Sequence, residues 1–195
     1  VHGGLSRVPE VLAQPFRAAC SRAEALRDIS GLKPPAGFDD SLMLDLPFFE
    51  PRHRDLAARV AAFVERAIEP KGAAADAGDP DRAGREFMEL FAAEGLLAYL
   101  VPREAGGVAD RPELRSVCLI REAIAASSAL ADSVFAVQGL GCYPIALAGD
   151  ADLRTRYLPR AAGGVAIAAF ALTEPAAGSD VAALETTARR DGAEY

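Results

Sequence analysis

Thr173 and Ser179 carry the hydroxyls of this chain that are best spaced for chemistry. They bracket Glu174-Pro175-Ala176-Ala177-Gly178, directly after an apolar run of small residues from Val165 to Ala169. That run reads as a buried strand. A strand that ends in Thr, breaks at Glu-Pro and passes through Gly-Ser-Asp gathers hydroxyls and unpaired backbone N–H groups in one loop. Such a loop can hold a flat heteroaromatic ring on one side and a phosphate on the other. Gly178 permits a backbone conformation and a close approach that a Cβ would block. Glu174 is a tempting base, but Pro175 holds it extended, and a structural role is preferred. Asp180 reads as a stabiliser bonding nearby amides.

The elements that must position this loop are mostly helices. From Pro51, Leu56, Val60, Phe63, Val64, Ala67 and Ile68 form one apolar stripe, which Pro70 and Gly72 are expected to close. Asp79-Pro80 reads as an N-cap followed by a first-turn proline. Phe87, Leu90 and Phe91 are the buried face of that helix, and Gly95 is its C-terminal cap. Asp110 to Pro112 opens a further helix, on which Cys118 lies on an apolar face. Ser127 to Gln138 continues or restarts it, and Gly139, Gly141 and Pro144 are expected to break it. Asp150 caps a helix that ends near Gly163-Gly164. Strands come last: Val165 to Leu172, Leu184 to Arg190, and a hairpin turn at Asp191-Gly192. Helices first and strands last predict an α+β chain, an all-α helical domain leading into a truncated β domain. The divisions fall at 1–45, an extension of unclear structure with a helical stripe at Leu12, Phe16, Ala19, Ala23 and Leu26; 46–164, the helical domain; and 165–195, the start of the β domain. The chain begins on Val1, and its returning strand stops three residues after Gly192, which reads as a fragment.

Composition narrows the function classes. The chain has 195 residues, is 51% hydrophobic and carries a net charge of −7, with no dense basic block, so nucleic acid is excluded as an expected partner. The longest apolar run, Val165 to Leu172, is too short to span a bilayer, and no membrane association is expected. Cys20, Cys118 and Cys142 form no CxxC pair and read as reduced thiols, which fits the cytoplasm. The two histidines, His2 and His53, belong to no cluster with metal spacing, and His53 reads as a solvated surface residue. Gly106-Gly107 belongs to no GxGxxG or P-loop pattern. Ser127, Ser128 and Ser133 have no histidine nearby for a hydrolase triad.

The loop Phe170-Ala171-Leu172-Thr173-Glu174-Pro175-Ala176-Ala177-Gly178-Ser179-Asp180 resembles the signature of the acyl-CoA dehydrogenase family. Two further stretches do so in family order and at similar spacing: Glu94-Gly95-Leu96-Leu97 with Val101-Pro102-Arg103-Glu104-Ala105-Gly106-Gly107, and Asp150-Ala151-Asp152-Leu153-Arg154-Thr155-Arg156-Tyr157-Leu158-Pro159. The match runs from Phe48 to Tyr195. Ala176 departs from the family's usual glycine. The resemblance implies a FAD-dependent enzyme that desaturates an acyl-CoA thioester at Cα–Cβ. It implies FAD contacts at Phe170, Leu172, Thr173, Gly178 and Ser179, with Ser179 also near the CoA diphosphate. It places Phe135, Val137 and Gln138 along the acyl pocket. The family's catalytic base is a Glu in a C-terminal helical domain, so no catalytic residue is expected here and the chain alone should be inactive. Electron-transfer flavoprotein as electron acceptor and a homotetrameric full-length protein follow from the same resemblance. An acyl-CoA oxidase or flavin monooxygenase of the same fold, and a helical module that binds no flavin, are the alternatives.

Overall fold

Local chemistry starts each helix. The computed structural model describes residues 43–192. Helix α1 (Pro51–Phe63) begins with a proline in its first turn, and its capping box joins Glu50 to His53. Helix α3 (Pro80–Ala93) starts where Asp79 accepts hydrogen bonds from the Asp81 and Arg82 amides. It ends at Gly95, whose φ of 75° is the left-handed turn that favours glycine. Short 3₁₀ turns at Leu96–Leu100 and Arg103–Ala105 lead to α4 (Leu114–Ala125), capped by Glu113. Helix α5 (Ala129–Ala148) follows, and then α6 (Ala151–Ala162), capped by Asp150.

Two expected helix breaks are absent. The first apolar stripe does not stop at Pro70 and Gly72. A π turn, Val64–Ile68, widens the hydrogen-bond register, and α2 (Glu69–Ala77) continues from it with Pro70 in its first turn. Gly72 then lets α2 approach the α4–α5 connection, since a Cβ there would lie 2.7 Å from the Ser127 carbonyl oxygen. Nor do Gly139, Gly141 and Pro144 break α5, which runs unbroken for 20 residues. An interior Pro costs about 3 kcal/mol and each Gly about 1 kcal/mol. Leu130, Ala131, Phe135, Gln138 and Cys142 lie on one buried face of α5. Burying its large apolar members returns roughly 1.5–3 kcal/mol apiece. Length and composition alone would let α5 cross a bilayer. Here it is the central helix, in contact with α2, α3, α4 and α6.

The core is built around Phe91. Its ring meets Phe135 edge-on at 5.6 Å, Phe63 at 6.2 Å and Phe87 in a stack at 6.3 Å. Val60, Ile68, Leu96, Ile120 and Ile124 close around them. A second cluster of Val101, Ala105, Cys142, Leu158 and Ala161 ties α5 to α6. Burial pushes the Cys142 thiol up to about 11, so it stays protonated. Cys118, expected on an apolar face, is exposed. The face that α4 buries is set by Ser116, Leu119, Ile120 and Ile124. Cys20 and the stripe from Leu12 to Leu26 lie outside the described residues, as does the end of the hairpin after Gly192.

Asp76, on α2, caps the N-terminus of α5 across the bundle. It accepts from the Ser128 hydroxyl at 2.7 Å, the Leu130 amide at 3.1 Å and the Ala129 amide at 3.3 Å. Asp76→Ala should therefore cost about 1–2 kcal/mol, more than a typical single cap, because three donors lose their acceptor. Urea unfolding midpoints would show this, and a loss below about 0.5 kcal/mol would mean that water replaces the carboxylate.

Candidate cofactor site

The chain leaves α6 at Gly163-Gly164, where Gly164 has φ 70° and packs so close to α3 that a Cβ would lie 2.6 Å from the Ala92 Cβ. It then crosses α5 in an extended path. The expected buried strand is a correction here: no ladder forms among the described residues, and the segment is largely exposed. Alternation survives. Val165 and Ile167 point outward at 73% and 58% exposure, and Ala166 and Ala168 face the helices. The stretch from Leu184 to Arg190 is likewise unpaired, after a 3₁₀ turn at Val181–Ala183. A strand with no neighbour has no ladder to join, so pattern alone could not bury it.

Two contacts hold the crossing. The Gln138 carboxamide donates to the Ala166 and Ala161 carbonyls and accepts from the Ala168 amide. Gly141 supplies the second contact by having no side chain where Ala168 and Ala169 pass.

Beyond this anchor, Phe170, Leu172, Thr173, Gly178 and Ser179 are all exposed and fall on one loop. Glu174 and Ala177 exchange backbone hydrogen bonds of 2.9 and 3.2 Å across Pro175-Ala176, which makes a tight turn. Ala177 is the loop's buried residue, at 2% exposure. The Glu174 carboxylate accepts from the Glu185 amide at 2.8 Å and the Thr186 amide at 3.0 Å. The Thr186 side chain first, and then these amides, hold its carboxyl below the usual carboxylate range. Asp180 caps the Val181–Ala183 turn through the Ala182 amide. Both acids are thus occupied in shaping the loop. Among the described residues, the amides of Leu172, Thr173, Gly178 and Ser179 have no acceptor. Open space surrounds Gly178, with nothing within 4 Å of where a Cβ would be, and its φ is not positive. Its value at this position is therefore room for an approaching group rather than backbone freedom. Ala176 also needs no positive φ, so the alanine is tolerated.

The residues expected along an acyl pocket separate. Phe135 is fully buried against Phe91, and Gln138 is fully buried with its amide committed to the crossing segment. Helical periodicity puts both on the core face of α5, with Ala131 and Cys142. Val137 instead lines an open cavity of about 260 Å³ with Met88, Val134 and Ile167. His53, read as solvated, is fully buried. Its Nδ1 accepts from the Glu50 amide, and its Nε2 lies 2.9 Å from Glu113. No local pattern marks a pairing across 60 residues.

A helical bundle that delivers an extended segment into a small-residue turn defines the class of this domain. Residues 50–165 match the family description "Acyl-CoA dehydrogenase, N-terminal domain". The chain belongs to the acyl-CoA dehydrogenase family. It is 33% identical over 159 residues to a probable acyl-CoA dehydrogenase, fadE25, of Mycobacterium leprae, covering 82% of this chain and 40% of that protein. It is 36% identical over 129 residues to cyclohexane-1-carbonyl-CoA dehydrogenase of Geobacter metallireducens, covering 66% of this chain and 33% of that protein. A crystal structure of an acyl-CoA dehydrogenase complexed with FAD, from Bacillus anthracis, superposes with a TM-score of 0.62 at 30% identity, over 71% of this chain and 23% of that one. The chain thus spans well under half the length of these relatives.

Proposed function

We propose that this chain forms one wall of a FAD and acyl-CoA site in an enzyme that desaturates an acyl thioester between Cα and Cβ. The supporting observation is the loop Phe170–Asp180. Gln138 holds its approach at Ala168, the Glu174 carboxylate ties it to Glu185 and Thr186, and it exposes the Thr173 and Ser179 hydroxyls beside amides that have no acceptor among the described residues. The donor set fits the cofactor: Thr173 Oγ1 can bond the polar edge of a flavin ring, and the Gly178 and Ser179 amides can bond a diphosphate. Open space at Gly178 admits the phosphate oxygens. The chemistry that FAD supplies when bound is acceptance of a hydride from the acyl Cβ. The chain's own residues bind and orient. Phe170 and Leu172 offer apolar surface beside Thr173. Val137 and the exposed Leu140, on α5 next to the crossing at Gly141, offer apolar surface for the acyl portion.

The loop has no free base, because Glu174 and Asp180 both spend their carboxylates on backbone amides. The proton acceptor is accordingly assigned to a residue outside this loop, and the 195-residue chain alone should not turn over acyl-CoA. Titrating FAD into the chain while following flavin fluorescence tests the binding role. Thr173→Val and Ser179→Ala should each weaken binding about tenfold, the loss of one hydrogen bond worth about 1.4 kcal/mol. Unchanged affinity in both variants would refute the assignment. Turnover of an acyl-CoA by the chain with a dye acceptor would refute the claim about the base.

A further inference from the structure

We propose that Gln138 is a positioning residue for the cofactor loop, its side-chain amide standing in for a neighbouring β-strand. The inference rests on the reading that this loop binds FAD. Gln138 is 1% exposed, and its carboxamide spends both N–H donors and its oxygen. Nε2 donates to the Ala166 carbonyl at 3.0 Å, and Oε1 accepts from the Ala168 amide at 2.7 Å. Donation to residue i−1 and acceptance from residue i+1 is how one residue of a strand bonds a parallel neighbour. Gln138 therefore acts as a one-residue strand beside Ile167. The second Nε2 hydrogen goes to the Ala161 carbonyl at 3.1 Å, in the last turn of α6. One side chain so locks the crossing segment to two helices.

This lock controls the site. The segment has no strand neighbour among the described residues. The Val165 and Ala166 amides tie its start to the Arg160 carbonyl and Ala168 packs on the second core cluster, while Gln138 makes its polar bonds to α5. Gly141 allows the close approach but supplies no polar bond. Four residues separate Ala168 from Thr173, and the next polar tie is the Glu174 carboxylate beyond it. Phe170, Leu172 and Thr173 lie between these two ties. Release at Gln138 frees the approach to Thr173 while the Phe91 core, built from other residues, stays intact.

Gln138→Met keeps the volume and removes the bonds. Gln138→Asn keeps both bond types on a shorter arm. Phe63→Leu perturbs the Phe91 core without removing any of the Gln138 bonds and serves as a control for lost stability. FAD dissociation constants should rise about tenfold in Gln138→Met and less in Gln138→Asn, and stay within twofold of wild type in Phe63→Leu. Equal weakening in Gln138→Met and Phe63→Leu would reduce Gln138 to a packing residue and overturn the proposal. If the wild-type chain takes up no FAD, the cofactor reading fails separately, and the lock is then judged by NMR without ligand. Faster Ala168 amide exchange with a displaced Thr173 resonance, in Gln138→Met alone, sustains it; an unmoved Thr173 resonance overturns it.

Discussion

Glu113→Ala is expected to cost the fold about 3 kcal/mol and lower the melting temperature by roughly 6–12 °C. Glu113 caps α4 by accepting from the Ser116 amide at 3.1 Å and the Ser116 hydroxyl at 2.6 Å, and it also binds Arg115. Its remaining partner is His53 Nε2. Because His53 Nδ1 accepts from the Glu50 amide, the imidazole proton is assigned to Nε2, facing Glu113. Removing the carboxylate leaves that fully buried N–H and the Ser116 hydroxyl without an acceptor, and it also removes the cap. An orphaned buried donor costs about 1–3 kcal/mol and a lost cap about 1 kcal/mol. Glu113→Gln keeps an acceptor toward His53 and should lose only about 1 kcal/mol.

The same carboxylate gives a pH signature. Burial of Glu113 raises its pKa, but hydrogen bonds from Ser116, His53 and Arg115 outweigh that and bring it to about 2, from an ordinary 4.5. A folded value below the unfolded one means that the stabilisation is fully present above about 4.5 and is lost as pH falls toward 2. With solvent screening this amounts to roughly 1–2 kcal/mol. Urea unfolding at pH 6, 4 and 3 should show the wild type converging on Glu113→Gln as pH falls. Parallel curves would show that Glu113 does not titrate with folding.

His53 shows why part of this molecule was hidden in its sequence. Chemistry within one turn of the backbone was legible: Asp79 and Asp150 cap helices, Gly95 ends one, and Phe87 and Phe91 face the core. The role of Asp180 was legible too, because its partner amide lies two residues on, at Ala182; the amides that occupy Glu174, on Glu185 and Thr186, lie beyond the loop. What failed depended on distant partners. His53 is buried by an acid on another helix, and α5 passes through Gly139 and Pro144 because four other helices pack on it. The run Val165 to Leu172 has a strand's alternation without a neighbouring strand among the described residues to complete it. At the loop, the residue types pointed to the donors, while the Gln138 carboxamide and the bare Cα of Gly141 became visible only in three dimensions.

Gly141 offers a test in which the sign decides. Helix propensity alone says that Gly→Ala within α5 should stabilise by about 0.5–1 kcal/mol. At Gly84 on α3 that is the expected result, since a new Cβ would meet only Val134 Cγ2, at an ordinary 3.5 Å. At Gly141 the Cβ would lie 2.7 Å from the Ala168 Cβ, 2.8 Å from the Ala169 oxygen and 2.9 Å from the Ala169 nitrogen. Two of these atoms are backbone and cannot rotate away. Overpacking of this kind costs about 1–3 kcal/mol, so Gly141→Ala should destabilise by about 1–2 kcal/mol and Gly141→Val by about 3 kcal/mol. The helix is locked by its core face, whereas the polar bonds that join the crossing segment to α5 come from one side chain, so the segment should be the part that moves. Ala168 should then lose its bond to Gln138, and its amide exchange should accelerate. Urea midpoints and exchange rates on Gly84→Ala and Gly141→Ala decide the matter. Stabilisation of both variants, with Ala168 still protected, would mean that the crossing has room to spare and that α5 does not set the approach to the cofactor loop.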